Sequence, residues 1–265
     1  MARSVRATLP MFISRCARAS TASTRCRIWN SPMQAAPLQP FGDGLWIADG
    51  PCVSVLGFDY PTRMAVIALP GGGLLLWSPI ACTPALRAEI DALGPVRHIL
   101  SPNHLHHLFL AEWFEAYPDA ARHAPKGLRE KRRDLDFTHD LGTAPYPDWH
   151  GVLDQQPIRG NRITTEWVFH HRPSRTTLFC DLLQQFPDSA FTGWRRIVAR
   201  LDKMIGAEPS VPRKFRLAFV DRAAARADIA QTLAWPTERV LMAHGTPVTA
   251  KGQALLHRAF GWLKA

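Results

Sequence analysis

Short apolar runs, separated by glycine and proline, dominate the chain from about Leu38 onward. "GLWIADG" alternates apolar and polar positions, which predicts a strand that closes on Gly50-Pro51. "RMAVIALP" and "GLLLWSP" flank the glycines at 71–73, and two apolar runs around glycine predict a hairpin. This part of the chain therefore begins with strands.

The segment "TPALRAEIDALG" carries helix signals at both ends. Thr83 suits the N-cap, Pro84 suits the first helical position, and Gly94 suits the residue that stops the helix. Between them, leucine and isoleucine recur at helical spacing. "VRHIL" follows at 96–100 and predicts a short buried strand.

Strands and helices alternate in the rest of the chain. "LFLAEWFEAYPDA" predicts a helix that Pro118 breaks, "RHAP" predicts a short strand, and the charged run "LREKRRDLD" is typical of a solvated surface. "TTEWVFHHRPSRTTLFCDLL" predicts two β-runs around a turn, and "RVLMAHGTPV" predicts a strand that ends on a His-Gly turn. "TGWRRIVARLDKMIG" and "RAAARADIAQTLAW" are helical in pattern. This order predicts a layered α/β fold, with helices covering the outer faces of two packed sheets.

Length and composition fit a globular protein without disulfides. The 265 residues fit one large domain or two small ones and can bury a core without covalent staples. No apolar run approaches the roughly 18 residues of a membrane-spanning helix, so we expect no span. The five cysteines are odd in number and contain no CxxC pair, which favours a reducing, cytoplasmic location.

The charge is concentrated near the start of the chain. Residues 1–36 hold six arginines and no acid, so the other 26 basic and 22 acidic residues leave +4 of the net +10. We expect 1–36 to be a transit-like segment, which would direct the protein to an organelle, or a disordered extension, or the result of a start codon placed too early, with Met33 as the natural start. We expect 37–265 to form the folded domain. A basic protein invites a nucleic-acid interpretation. No zinc-knuckle, RNP or helix-turn-helix pattern supports it, so we expect a small-molecule substrate instead.

Candidate metal ligands follow three of the predicted strands. His104, His106 and His107 follow "VRHIL", Asp181 follows "TTLFC", and His244 follows "RVLMA". Strand ends are where binding residues collect in α/β folds, and imidazole and carboxylate groups are the usual zinc ligands. Taken one at a time, each residue also has a structural interpretation as a turn or core group. The residues alone leave a metal site and a structural role both open.

The order of these features resembles the metallo-β-lactamase-fold superfamily over roughly residues 38–250. In that superfamily a strand delivers the loop motif HxHxDH, a later strand delivers a metal-bridging Asp, and a still later strand delivers a final His. Pro102–His107 occupies the place of the motif, Asp181 looks like the bridging Asp, and His244 in "LMAHG" looks like the last His. The chain looks closest to a poorly characterised, domain-of-unknown-function branch in which the motif is eroded. The resemblance implies a four-layer αββα sandwich.

The resemblance also implies a ligand set. His104 matches the second His of the motif, His106 stands at the Asp position, and His107 matches the final His. Pro102 stands at the first His position and cannot bind a metal, so the first metal site is damaged. The second keeps four donors, His106, His107, Asp181 and His244, which suit one ion of zinc, or alternatively iron.

The implied activity is metal-dependent hydrolysis of an ester, thioester, lactone or phosphoester, with Asp181 and His106 as catalytic residues. The alternative is a catalytically inactive member of the same fold with a structural or vestigial metal site. His170 and His171 are candidates for the missing third His of the first site, although a strand can turn only one of them toward it. A structural pair beside the turn "RPSR" is the competing interpretation. Cys180 is expected to be a buried strand residue.

Overall fold

The computed structural model describes residues 37–263, which contain eleven strands in two sheets. The first sheet has seven strands in the spatial order β1 (Gln39–Gly42), β2 (Leu45–Val55), β3 (Phe58–Ala68), β4 (Leu74–Trp77), β5 (Val96–Leu100), β6 (Ala121–Ala124) and β7 (His139–Asp140). The second has four strands in the order β11 (Arg239–Met242), β10 (Thr176–Phe179), β9 (Glu166–His171) and β8 (Leu153–Ile158). Strands β4 to β7 run parallel, as do β10 and β11. The other neighbouring strands are antiparallel.

Seven α-helices lie within the same described residues. They are α1 (Pro84–Leu93), α2 (Leu110–Ala116), α3 (Leu128–Lys131), α4 (Trp194–Leu201), α5 (Arg213–Ala218), α6 (Arg222–Leu233) and α7 (Gly252–Ala259). Helix α1 begins as its sequence predicts, because the Thr83 hydroxyl accepts a hydrogen bond from the backbone N–H of Leu86. None of the helices among residues 37–263 is long and apolar enough to cross a membrane.

Alternation along the strands builds a core on each side of each sheet. On β3, Ile67 faces the space between the sheets and Val66 faces the layer of α1 and α2. On β10, Leu178 faces the same inter-sheet core, while Phe179 packs among residues of α6 and α7. Because successive side chains of a strand point to opposite faces of its sheet, three apolar layers form between four layers of secondary structure. This confirms the predicted αββα sandwich.

Most of the predicted elements are present, but two boundaries differ. The strand expected to end at Gly50-Pro51 continues to Val55, because a bulge between Gly50 and Val53 absorbs the proline. Helix α4 ends at Leu201 rather than continuing through "DKMIG", since Lys203 adopts a left-handed backbone with φ 61°. The expected extension at 1–36 lies outside the described residues.

The ends of four strands create one edge where a site can form. Parallel strands β4 and β5 end at Trp77 and Leu100, and parallel strands β10 and β11 end at Phe179 and Met242. The carboxyl ends of parallel strands open on the same side of their sheet. The loops after these strands carry Ser78 and the candidate metal ligands.

Candidate metal centre

His106, Asp181 and His244 meet at the edge where the two sheets come together. The Nε2 atoms of the two histidines are 3.1 Å apart. One Asp181 oxygen lies 3.5 Å from His106 Nε2, and the other lies 3.4 Å from His244 Nε2. Two donors bound to one zinc ion at 2.0–2.2 Å in tetrahedral geometry would be about 3.3–3.6 Å apart. The three donors are therefore spaced as ligands of a single ion.

Hydrogen bonds on the far side of both imidazoles aim them at this point. His244 Nδ1 lies 2.7 Å from the Pro61 carbonyl, which can only accept, so Nδ1 carries the proton and Nε2 keeps its lone pair. His106 Nδ1 lies 2.9 Å from the Ser78 hydroxyl, and when it donates there its Nε2 is free as well. Such outer partners orient metal-binding histidines. Ser78 itself has a left-handed backbone with φ 52°, a cost that a buried functional position can retain.

The electrostatics of the cluster favour an ionised carboxylate. Burial raises the pKa of Asp181, but His106 and His244 outweigh that effect and hold the pKa well below its usual value. A carboxylate and two imidazoles form a donor set that suits zinc or iron. The residues present therefore fit a divalent metal.

Asn103 is a positioning residue that sequence reasoning missed. It is fully buried, and its Nδ2 donates to Asp181 Oδ2 at 2.8 Å. Its Oδ1 accepts from the backbone N–H groups of Leu105 at 2.8 Å and His106 at 3.3 Å. One amide thus ties the histidine loop to the carboxylate from the other sheet. The available sequence signal was the Asn itself, because an Asn side chain can close an Asx turn by accepting from the backbone N–H two residues later.

Glu166, also missed, holds the backbone of the Asp181 loop. Its carboxyl group accepts from the N–H groups of Cys180, Asp181 and Leu182 at 2.8, 2.7 and 3.0 Å. Burial, followed by repulsion from Asp181, raises the pKa of Glu166 to about 8, and these backbone donors limit the rise. No local pattern marked this residue, because its partners lie across the β9–β10 hairpin.

His107 and His104 flank the cluster and have other partners. His107 lines the same cavity as the three donors, but its Nδ1 lies 3.3 Å from Arg132 Nη1. Burial, and after it the charges of Lys131 and Arg132, lowers the pKa of His107 to about 4, so this imidazole is neutral, as a metal ligand must be. His104 Nδ1 lies 3.1 Å from the Thr164 hydroxyl. The close contacts of the cluster join three donors, His106, Asp181 and His244. Metal binding by His107 or His104 stays a prediction.

His170 and His171 lie far from this cluster. They pair with Thr177 and Thr176 at the start of β10, whereas Asp181 follows the end of that strand. Four or more residues of strand separate them from the site, roughly 13 Å at about 3.3 Å per residue. Their Nδ1 atoms contact the hydroxyls of Thr177 and Ser174. They are therefore structural histidines beside the "RPSR" turn.

Cys180 adjoins Asp181 in the sequence and lies beside the candidate donors in the structure. Its sulfur lies within 4.8 Å of a His106 nitrogen and an Asp181 oxygen. It is also fully buried in the inter-sheet core, and burial raises its pKa well above the usual value. The core interpretation of Cys180 therefore holds, with the sulfur as a close neighbour of the donors.

A cavity of about 900 Å³ opens above the donors. His106, Asp181 and His244 contribute to its floor, and most of its wall is apolar, with Phe58 and Met204 among the contributors. Lys131, Arg213 and Lys214 add positive charge to the wall. A pocket of this size and character is typical of small-molecule sites.

The two sheets and the site at their shared edge define a metallo-β-lactamase fold, and comparison with solved structures confirms it. A metallo-β-lactamase from Pontibacter korlensis superposes with a TM-score of 0.58 at 12% identity, covering 87% of this chain and 99% of that one. The mono-zinc form of FIM-1 from Pseudomonas aeruginosa gives 0.57 at 13% identity, covering 87% and 97%. The metal-soaked Flv1 flavodiiron core from Synechocystis gives 0.58 at 11% identity, covering 88% of this chain and 62% of that one.

Within this fold the chain belongs to the family described as "Domain of unknown function (DUF4336)", whose model matches residues 43–195. That match spans the motif loop and Asp181, in agreement with the eroded branch suggested by the sequence. A search of the curated proteins finds no match.

Proposed function

We propose that this protein binds one divalent metal through His106, Asp181 and His244 and hydrolyses a small ester, thioester, lactone or phosphoester. The observation that supports the proposal is the 3.1–3.5 Å spacing of the three donor groups at the floor of the cavity. A divalent ion held there would supply a Lewis acid that activates water and polarises the scissile group. Zinc fits this donor set, and iron is the alternative.

The chain's own residues have defined tasks in this proposal. Ser78 and the Pro61 carbonyl hold the two imidazoles in place, and Asn103 holds Asp181 against the histidine loop. Asp181 and His106 both line the cavity and are the proposed catalytic residues. His107 is the proposed fourth donor, since it lines the same cavity. The apolar wall excludes water and favours a substrate with an apolar group.

A catalytically inactive member of the family is the second candidate. The observation that favours it is Pro102, which stands in the motif where the superfamily places its first His. The Pro102 carbonyl instead accepts from the backbone N–H of Trp167 at 2.8 Å, so the residue serves the backbone. In that case the protein would bind metal without turnover.

A hydrolysis assay separates the two candidates. Zinc-loaded protein is offered an aryl ester, a thioester, a lactone and an aryl phosphodiester, alongside the variants Asp181→Asn and Asp136→Asn. Asp136 is an exposed carboxylate whose side chain is 84% accessible, so its variant is the matched control. The proposal expects hydrolysis of at least one substrate by the natural protein and the control, and its loss in Asp181→Asn. Equal rates in all three proteins would contradict it.

A further inference from the structure

Large apolar side chains stand exposed around the mouth of the cavity. We define the apolar rim as Val55, Leu56, Leu108, Trp194, Ile197, Val198, Leu201 and Leu217. Leu56 is 93% exposed and Leu217 is 74% exposed. Four segments far apart in the chain, the β2–β3 turn, the loop before α2, α4 and α5, contribute to this rim. An exposed apolar patch from several elements marks an interaction surface rather than scattered surface residues.

The turn of the β2–β3 hairpin does not require the leucine at its tip. Leu56 and Gly57 form a two-residue turn with φ of 51° and 80°. Such turns favour Asn or Asp followed by Gly, because an ordinary side chain is strained at positive φ. Leucine here adds backbone strain and exposes its side chain to water. An external contact would offset both costs.

Helix α4 turns its apolar stripe away from the core. Trp194, Ile197, Val198 and Leu201 recur at helical spacing and are all exposed, whereas the buried residue of the helix is Ala199. A surface helix usually faces its apolar stripe inward. Trp194 and Ile197 are not part of the cavity wall, so a ligand inside the cavity would leave them uncovered.

Positive charge borders this stripe. Helix α4 carries Arg195, Arg196 and Arg200 and no acidic residue. Across the helix, Asp188 pairs with Arg200 at 3.0 Å and with Arg196 at 3.6 Å. Arg213 and Lys214 of α5 also line the cavity, and Asp202 lies 3.7 Å from Lys214. With these acids counted, an excess of positive charge remains.

We propose that the apolar rim docks this protein on the surface of an anionic lipid bilayer, with the mouth of the cavity facing the lipid. An apolar stripe with tryptophan, bordered by arginines, is the pattern of helices that lie in a membrane interface. Anionic headgroups attract such basic borders. A second copy of the chain is a less suitable occupant, because two arginine-bordered rims would repel each other. Docking would give an apolar ligand a route from the lipid to the cavity.

Vesicle co-sedimentation of the full chain tests the proposal. The variants are Leu56→Ser/Leu217→Ser and Ile197→Asp, and the control is Leu93→Ser, an exposed leucine at the end of α1 outside the rim. All proteins keep residues 1–36, so any binding by that basic segment is common to them. We expect vesicles of phosphatidylcholine with phosphatidylserine to bind the natural protein and the control. The vesicle affinity of each rim variant should be lower by about tenfold or more, because large apolar side chains no longer enter the interface.

Two further readouts keep the test decisive. Metal content should be the same in all four proteins, so a failure of docking is distinct from a failure of the proposed function. Binding that does not depend on the rim residues, or no preference for phosphatidylserine over phosphatidylcholine alone, would overturn the proposal. So would a dimer in sedimentation that the rim variants dissociate, since it would assign the surface to a second copy.

Discussion

The Nε2 atoms of His106 and His244 face each other at 3.1 Å, although 138 positions separate the two residues in the chain. His244 Nδ1 donates to the Pro61 carbonyl, so its Nε2 keeps a lone pair. His106 Nε2 presents a second lone pair to the same point, beside Asp181, when its Nδ1 donates to Ser78. Adjacent acceptors repel one another unless a cation or proton lies between them. This relationship is the basis of the metal-site proposal.

Asn103→Ala should weaken metal binding about 10–100-fold, since residues that orient ligands typically contribute that much. The variant removes the donor to Asp181 and the acceptor of the His106 loop. Zinc titration against a competing chelator measures the effect. Asn161→Ala is the matched control, because the Asn161 side chain makes the same kinds of bonds, accepting from Ile163 N and donating to the Phe215 carbonyl, and neither partner is a candidate metal ligand. Equal zinc affinity in both variants would contradict the positioning role.

Gly245→Ala should destabilise the fold by roughly 2–4 kcal/mol, through strain at positive φ and a forced clash. Gly245 has a φ of +133°, and a Cβ there would lie 2.2 Å from the Gln185 carbonyl oxygen. The His244 loop would have to move as well. Urea unfolding measures the change. Gly261→Ala meets nothing within 4 Å and should differ little from the natural protein. Similar unfolding midpoints for both variants would refute the argument.

The sequence predicted the fold well because its strongest signals are local. Three elements are each determined by their own residues. The β3–β4 hairpin depends on its glycines, α1 on Thr83 and Pro84, and β5 on its apolar run. The bulge that carries β2 past Pro51 was missed, because it depends on pairing with β3. Boundaries that depend on a partner strand cannot be read from one segment.

The site was only partly predictable for the same reason. Histidines and an Asp after strands indicate metal chemistry by residue type, and His106, His107, Asp181 and His244 do line one cavity, whereas His104 does not. An Asx turn at Asn103 can be read locally, but its bond to Asp181 and the bonds of Glu166 to the loop at 180–182 join residues far apart in the chain, and such bonds leave no local pattern. The pair at 170 and 171 had the right residue type but sits at the wrong end of its strand.

Pro102→His combined with His106→Asp should raise the metal content toward two ions per chain. The double change restores the superfamily's motif, because it returns an imidazole to the first position and a carboxylate to the fifth. Elemental analysis after zinc loading measures the ratio. His106→Asp alone is the comparison, and it should stay near one ion. A double variant that also stays at one ion would show that the first site lacks more than these two groups.

Acid should destabilise the protein in part through His123. Burial, and after it the neighbouring His98 and His139, lowers the pKa of His123 to about 3. Between about pH 6.5 and pH 3 the unfolded chain therefore binds a proton that the folded chain does not, and stability falls as pH falls. One such group contributes a slope of up to about 1.4 kcal/mol per pH unit.

Urea unfolding at several pH values in this range measures that slope. The glutamine of His123→Gln can still donate to His98. Its unfolding free energy should fall less steeply with falling pH, because about one fewer proton is taken up on unfolding. His150→Gln changes an exposed histidine and should retain the natural slope. Identical slopes for all three proteins would place the acid sensitivity elsewhere.

The number of zinc ions bound per chain is the decisive measurement for the proposed metal site. Purified protein is loaded with zinc, freed of excess ion and analysed for zinc per chain, beside His106→Ala, His244→Ala and the exposed control His150→Ala. We expect one ion per chain in the natural protein and the control, and loss of that ion in both site variants. Two tightly bound ions, or none, in the natural protein would contradict it, as would an ion retained without His106 and His244.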